Sequence, residues 1–206
     1  MTGQTAMRAT QGIYWLFLGL WLGCMIMLAV GAAITFKTVK SYEPTIGLAR
    51  YNHPDLRDRA PGILAGGITG NILKALAVIQ GICIAVLMVC IVAQCTVFAD
   101  YLAGGVRSAA NLLRIALIAL PILIFGFDTL VLSHRIWTYR ETMYDPAQTI
   151  TQRDEAKSHF DRLHSISVRM GGAATACLIA AVLVSPFAFT YTPSPATPSG
   201  RELSRG

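Results

Sequence analysis

The stretch Ile13–Phe36, IYWLFLGLWLGCMIMLAVGAAITF, decides the fold of this chain. It holds 24 consecutive residues without a charge, and about 20 apolar residues are enough for a helix to cross a bilayer. Inside lipid each backbone N–H and C=O must bond within its own segment, which requires a helix. A cleaved signal peptide is the alternative, but its apolar region would be shorter, and Lys37 and Lys40 follow this stretch as a stop. We therefore predict a first transmembrane helix here.

Three further apolar stretches repeat this pattern: Ala75–Ala99 and Met170–Tyr191 carry no charge, and Ile115–Ser133 carries only Asp128. Of the 206 residues 54% are hydrophobic and 14% charged, whereas about a quarter are charged in soluble domains. The sequence thus predicts an all-α integral membrane protein, with four transmembrane helices in an antiparallel bundle. The predicted parts are a polar lead (1–11), a transmembrane domain (12–191, with spans about 12–36, 72–98, 112–133 and 168–191) and a Pro/Ser/Thr-rich tail (192–206) expected to be disordered.

Lys and Arg residues predict the orientation of the bundle. Of the 17 basic residues, six follow the first span and six follow the third. The positive-inside rule places both of these longer loops in the cytoplasm and both termini outside. We therefore expect a multi-pass protein of the inner (plasma) membrane whose cytoplasmic loops contact anionic lipid headgroups. The net charge is +6, but the sequence shows no basic face with interleaved aromatic residues. No nucleic-acid partner is therefore expected.

Asp128 needs a partner, because a carboxylate within a span costs about 2.5–3.5 kcal/mol on insertion scales. Lys74 and Arg169 are the expected partners on neighbouring helices. A structural ion-pair cluster is the first interpretation, and a proton or ion path is the second. The candidate polar cluster, all in the predicted cytoplasmic half, comprises Asn71, Lys74, Asp128, His134, His164, Ser167 and Arg169.

The stretch HFDRLHSISVRMGG, His159–Gly172, precedes the fourth apolar run. His159 and His164 are five residues apart, about 140° around a helix, whereas helical zinc pairs are four apart. His164 shares a stripe with Phe160 and Ser167, so we predict that His164 and Ser167 point into the bundle. His164 then either anchors the helix through hydrogen bonds or acts as a ligand or proton carrier.

Small residues predict where helices approach one another. Gly19 and Gly23 form a GxxxG pair, and Gly66 and Gly70 lie four apart at the start of the second span, so both pairs are candidate helix-packing contacts. A phosphate-binding loop at the second pair is excluded, because the Lys-Ser/Thr that would follow it is absent.

The hypotheses about metal and haem binding depend on the cysteine and histidine side chains. The five cysteines form no CxxC pair, and buried thiols most often pack as small apolar groups. Cys83 and Cys90 share a helix face, and soft sulfur ligands suit Cu(I). The candidate metal ligands are Cys83, Cys90 and His164, while a haem would use His134 and His164. No cofactor is predicted.

Four segments occur in an order that resembles the transmembrane-protein-205-like family, a domain of unknown function: LFLGLWLG (16–23), LAGGITGNIL (64–73), GFDTLVLSHRIW (126–137) and HFDRLHSISV (159–168). The most specific element is Phe160, Leu163, His164 and Ser167. The resemblance implies a four-helix membrane protein without an established enzymatic activity. A looser likeness to copper-resistance protein D, in the Leu-Trp-x-Gly of the first span, keeps a soft-metal role open.

The functional prediction follows from these patterns. No GxSxG or HExxH signature is present, and no carboxylate pair suited to catalysis is found, so no enzyme is predicted. We expect a non-enzymatic accessory or interaction protein, with a membrane-protein partner or a homo-oligomer. The alternative is a small transporter, or a soft-metal or proton-handling protein, that uses Asp128 and His164.

Overall fold

A computed structural model describes residues 3–41 and 60–189. The segment YNHPDLRDR (51–59) and the predicted tail (192–206) lie outside these ranges. A π-helical turn spans Asp128–Leu132, and 3₁₀ helices span Ala99–Tyr101 and Ser185–Ala188. The helices within the described ranges are α1 (Gly3–Ser41), α2 (Ala60–Thr96), α3 (Ala109–Phe127), α4 (Ser133–Met143) and α5 (Ile150–Val184).

Four helical segments are long and apolar enough to cross a membrane, as predicted: Gly3–Ser41, Ala60–Thr96, Ala109–Met143 and Ile150–Ala188. Between 17% and 28% of their apolar windows is buried inside the bundle. The remaining apolar surface faces outward, where lipid would cover it. Each helix exceeds its predicted span: residues 3–11 of the polar lead are helical, and the 35 residues of Ala109–Met143 measure about 52 Å at 1.5 Å per residue.

The bundle is built from two helix pairs. α1 packs along α2, while α5 packs against α3 and α4 and also contacts α1. The residues that link the pairs form one buried core in the middle of the bundle, where Trp21 Nε1 also donates a hydrogen bond to Gln80 Oε1 at 3.3 Å. The core comprises Tyr14, Leu18, Trp21, Cys83, Leu87, Cys90, Ile91, Ile118, Leu178 and Ala181.

Different connections define the two ends of the bundle. The short-loop end carries residues 97–108, a turn in which Gly104 and Gly105 adopt φ values of +71° and +82° that favour glycine. There the Ala103 N–H donates to the Ala188 carbonyl at 3.1 Å, which ties the turn to the chain after α5. The long-loop end carries the end of α1, the start of α2 and residues 144–149. At that end Thr149 and Gln152 form a capping box, so α5 begins at Ile150.

The two glycine pairs behave differently. A Cβ at Gly66 would lie 3.0 Å from Arg140 Nη2, and a Cβ at Gly70 would overlap the Trp137 ring. Gly66 and Gly70 therefore leave room on α2 for two large side chains of α4, Arg140 and Trp137. A Cβ at Gly19 or Gly23 would meet nothing within 4 Å. The prediction of a close contact there is wrong within the described chain, because that face of α1 points away from the other helices.

Candidate functional site

Asp128 pairs with Ser167, not with a basic residue. Ser167 Oγ donates to Asp128 Oδ1 at 2.6 Å, and both side chains are half-buried. Asp128 opens the π-helical turn, a distortion that is frequent at functional sites. Among residues 3–41 and 60–189, neither Lys74 nor Arg169 forms an ion pair with Asp128, so the expected ion-pair cluster is not formed there.

The other predicted members of the polar cluster do not converge on Asp128. The Lys74 ammonium lies 5.1 Å from the centroid of the Trp137 ring. The prediction that His164 points into the bundle is wrong: it is exposed, and its ring stacks on Phe160 at 5.5 Å. Helical phase alone put His164 and Ser167 on one face, but only Ser167 falls within reach of the α3–α4 segment. The cluster residues that are exposed are Asn71, Lys74, His134, His164 and Arg169.

The predicted metal and haem ligands lie in different environments. Cys83 and Cys90 are buried in the core between helices, whereas His134 and His164 are exposed. In the described part of the chain, no three His, Cys, Asp or Glu side chains come together as ligands of a metal ion. The fold therefore separates the cysteines from the histidines that the sequence pattern offered as candidate metal ligands.

A second polar cluster, the Arg114 cluster, lies at the short-loop end and consists of Arg114, Asn111, Gln94, Tyr14 and Ser185. Arg114, Asn111 and Gln94 are each 0% exposed. Arg114 is the sixth residue of α3, which places its Cα about 8 Å along the helix from Ala109 at 1.5 Å per residue. A fully buried arginine within a membrane-spanning segment is costly, and such residues are a functional hypothesis by default.

Hydrogen bonds connect Arg114 to one neighbouring helix and to the preceding turn of its own helix. Its Nη1 donates to Gln94 Oε1 on α2 at 2.9 Å, and its Nη2 donates to Asn111 Oδ1 one turn earlier at 2.7 Å. Asn111 Nδ2 in turn donates to the Val106 carbonyl at 2.7 Å, which fixes the amide orientation. The two oxygen atoms that Arg114 contacts are therefore neutral amide oxygens.

Aromatic rings cover the guanidinium. Its Cζ lies 5.2 Å from the centroid of Tyr14 on α1 and 4.6 Å from that of Phe189 after α5. The Tyr14 and Ser185 hydroxyl oxygens are 2.6 Å apart. Because Ser185 Oγ also donates to the Ala181 carbonyl, the Tyr14 hydroxyl must be the donor to Ser185. Arg114 thus links all four membrane-spanning segments at one level.

Two buried donors of this cluster have no hydrogen-bond partner among residues 3–41 and 60–189: Arg114 Nε and Gln94 Nε2. Buried polar groups are normally paired, so each such atom calls for an explanation. Among the described residues, no carboxylate forms an ion pair with Arg114. The cluster therefore combines a full positive charge with unpaired donors and neutral acceptors.

The sequence analysis did not identify the Arg114 cluster, because Arg114 stands directly before the third apolar run, Ile115–Ser133. A signal was available: Asn111 and Arg114 are three residues apart, hence on one face of a helix, and Gln94 is a polar residue inside an otherwise uncharged run. Helical periodicity could not predict that Tyr14 and Phe189, which are 175 positions apart in the chain, cover the same guanidinium.

Comparison of the chain with protein-family models, with curated proteins and with solved structures finds no match. The resemblance to the transmembrane-protein-205-like family stays a prediction.

Proposed function

We propose that this multi-pass protein is a non-enzymatic accessory or interaction protein of the inner (plasma) membrane, of the transmembrane-protein-205-like type. The observation that carries the proposal is a helical extension at the long-loop end, formed by α4 and the first four turns of α5. The extension continues the membrane-spanning segments beyond the apolar windows. It presents a mixed-charge exposed face, which is the kind of surface that recognises a partner rather than lipid.

The extension is held in one position by contacts with α2. Arg140 Nη2 donates to the Ile63 carbonyl at 3.0 Å, and the Trp137 ring packs on Gly70. Arg140 also lies 4.9 Å from the centroid of that ring. A surface held this firmly is pre-organised, which lowers the entropy lost on binding a partner.

The exposed face of α5 carries both signs of charge. Lys157 Nζ and Asp161 Oδ2 form an ion pair at 2.9 Å, one turn apart, and His159 stacks on Tyr139 of α4 at 5.0 Å. Exposed ion pairs of this kind contribute about 0–1 kcal/mol to stability, so their value lies in recognition. The exposed charged side chains of this part of α5 lie on two sides of the helix, Glu155 and Arg162 on one and Lys157 and Asp161 on the other.

Orientation and lipid contacts belong to the same proposal. The positive-inside rule puts the long-loop end in the cytoplasm and the short-loop end outside. Lys74 and Arg140 both stack on Trp137, and aromatic residues flanked by basic ones are typical of the level of anionic headgroups. The partner is a membrane protein or a second copy of the chain, and no nucleic acid takes part.

Site-specific crosslinking in native membranes tests this proposal. A photoreactive amino acid at Arg162, on the exposed part of α5, should give one reproducible adduct with a protein, and the same probe at lipid-facing Val89 should give lipid adducts. Charge reversal of Lys157 and Arg162 together should abolish the protein adduct. The same adducts at both positions, or a measured turnover by the purified chain, would contradict the proposal.

A second candidate function is supported by Asp128. It is a half-buried carboxylate in a membrane-spanning segment, its only hydrogen bond to a described residue comes from Ser167, and it opens a π-helical turn. Intramembrane carboxylates commonly mark ion or proton paths. The second proposal is therefore a small transporter, or a soft-metal or proton-handling protein, that uses Asp128.

Flux measurements separate the two candidate functions. In proteoliposomes, a transporter would lose proton or metal-ion flux in Asp128→Asn, which keeps the shape of the side chain and an oxygen that accepts from Ser167. The accessory role predicts no flux in the wild type and no change in this variant. The matched control is Asp161→Asn on the exposed face of α5.

A further inference from the structure

A contact between α2 and α4 places two basic side chains against one indole ring. The Lys74 ammonium lies 5.1 Å and the Arg140 Cζ lies 4.9 Å from the centroid of Trp137. The distance between the two cations therefore cannot exceed the sum of these two values. Because the face of an indole ring attracts cations, Trp137 holds both positive charges near each other in spite of their mutual repulsion.

This contact lies at the edge of the apolar part of the bundle. Lys74 is the last charged residue before the uncharged run Ala75–Ala99, and Trp137 follows the end of the third apolar run, Ile115–Ser133. The two helices meet at one level here, because the Trp137 ring packs on Gly70, one turn before Lys74. Tryptophan and basic side chains at the end of an apolar run are typical of the depth of lipid headgroups.

The described part of the protein does not neutralise these two cations. Among residues 3–41 and 60–189, no carboxylate forms an ion pair with Lys74 or Arg140. Arg140 Nη2 donates to the Ile63 carbonyl at 3.0 Å, a neutral acceptor, and Lys74 is exposed. An anion that approaches from outside would therefore meet two uncompensated positive charges, and hydrogen bonds to charged groups are about twice as strong as neutral ones.

We propose that Lys74, Trp137 and Arg140 form a binding site for the phosphodiester headgroup of an anionic phospholipid. The bond to Ile63 fixes the position of the guanidinium. Lys74 has a flexible stem, which lets its ammonium move toward a phosphate that Arg140 holds. The proposal rests on the membrane placement given under the proposed function, but it does not depend on the partner surface of α5.

A lipid fits this site better than a soluble phosphate does. Val78 and Ile82 follow Lys74 by one and two turns on nearly the same side of α2, and they are 65% and 53% exposed. Acyl chains can lie against these apolar side chains while the headgroup stays beside Lys74. A soluble phosphate would contact the two cations but would leave this apolar surface uncovered.

Native mass spectrometry of the full chain tests the proposal, with the protein released from detergent that contains equal amounts of phosphatidylglycerol and phosphatidylcholine with the same acyl chains. We expect one phosphatidylglycerol to be retained in preference to phosphatidylcholine. Lys74→Gln should weaken this retention about fivefold, because one basic residue at an anionic surface contributes about that factor. Lys74→Arg should restore it. Equal retention of the two lipids by the wild type would overturn the proposal.

Arg135→Gln is the matched control. It removes an exposed positive charge two residues from Trp137, hence on the opposite side of α4, and it should keep the preference for phosphatidylglycerol. Equal losses in Lys74→Gln and Arg135→Gln would overturn the site, because diffuse attraction would then explain the binding. Displacement of the lipid by inorganic phosphate would overturn the lipid assignment. Crosslinking at Arg162 tests the partner surface separately, so either proposal can fail without the other.

Discussion

The two ends of the bundle treat polar residues in opposite ways. At the short-loop end, Arg114, Asn111 and Gln94 are fully buried and connected to each other. At the long-loop end, most charged side chains are exposed, although Arg153 is buried and Asp128 is half-buried against Ser167. A polar residue within a span can be buried only where several helices meet. The number of helices that pack together at its level along the bundle is therefore the best guide to its role.

Loss of Arg114 should have the largest effect. Arg114→Ala removes the donor for the buried oxygens of Gln94 and Asn111 and leaves a cavity between two rings, so we expect a loss of about 3 kcal/mol. Unfolding by SDS in mixed micelles measures it. Arg169→Ala, on an exposed arginine, is the control and should change stability by less than about 0.5 kcal/mol. Equal losses of stability in Arg114→Ala and Arg169→Ala would contradict the contrast between a buried arginine at one end and an exposed arginine at the other.

Filling the glycine contact should rank second. In Gly70→Leu the new side chain overlaps the Trp137 ring, and overpacking of this kind costs about 1–3 kcal/mol. The same unfolding assay should show no loss for Gly19→Leu, where a Cβ meets nothing within 4 Å. A large loss in Gly19→Leu, with none in Gly70→Leu, would reverse our assignment of the packed glycine face.

The Asp128–Ser167 hydrogen bond should rank third. Ser167→Ala leaves the carboxylate without its donor, and we expect a loss of about 1–2 kcal/mol. Asp128→Asn retains an oxygen that accepts from Ser167 and should cost less than Ser167→Ala. Ser165→Ala, an exposed serine on the same helix, is the control. If Ser165→Ala costs as much as Ser167→Ala, the hydrogen bond does not account for the loss.

The smallest effect is expected at His164. Because the imidazole is exposed and only stacks on Phe160, His164→Ala should change the free energy of unfolding by less than about 0.5 kcal/mol. Leu178→Ala, a buried core change on the same helix, should cost about 2–5 kcal/mol as a reference. A loss at His164 comparable to that at Leu178 would restore the prediction that His164 docks inside the bundle.

Much of the candidate site could not be predicted from periodicity. The order of Phe160, His164 and Ser167 along one stripe is a property of the helix, but which part of the stripe meets α3 depends on how the two helices are rotated. Ser167 meets Asp128 and His164 does not. In the same way, GxxxG spacing occurs on both α1 and α2, and only on α2 does it meet large side chains, because Trp137 lies opposite Gly70.

The amino-acid sequence by itself determined the four helices that are long and apolar enough to cross a membrane, since in lipid the length of an uncharged run and the need to pair every backbone N–H and C=O favour a helix. It also determined where α5 begins and where the short-loop turn bends, because capping and positive φ are local chemistry. Only the tertiary structure decided that Tyr14, Gln94, Arg114 and Phe189 form one cluster. Those residues come from four segments distant in the chain, and the rotation that brings them together is set by the packing of all helices at once.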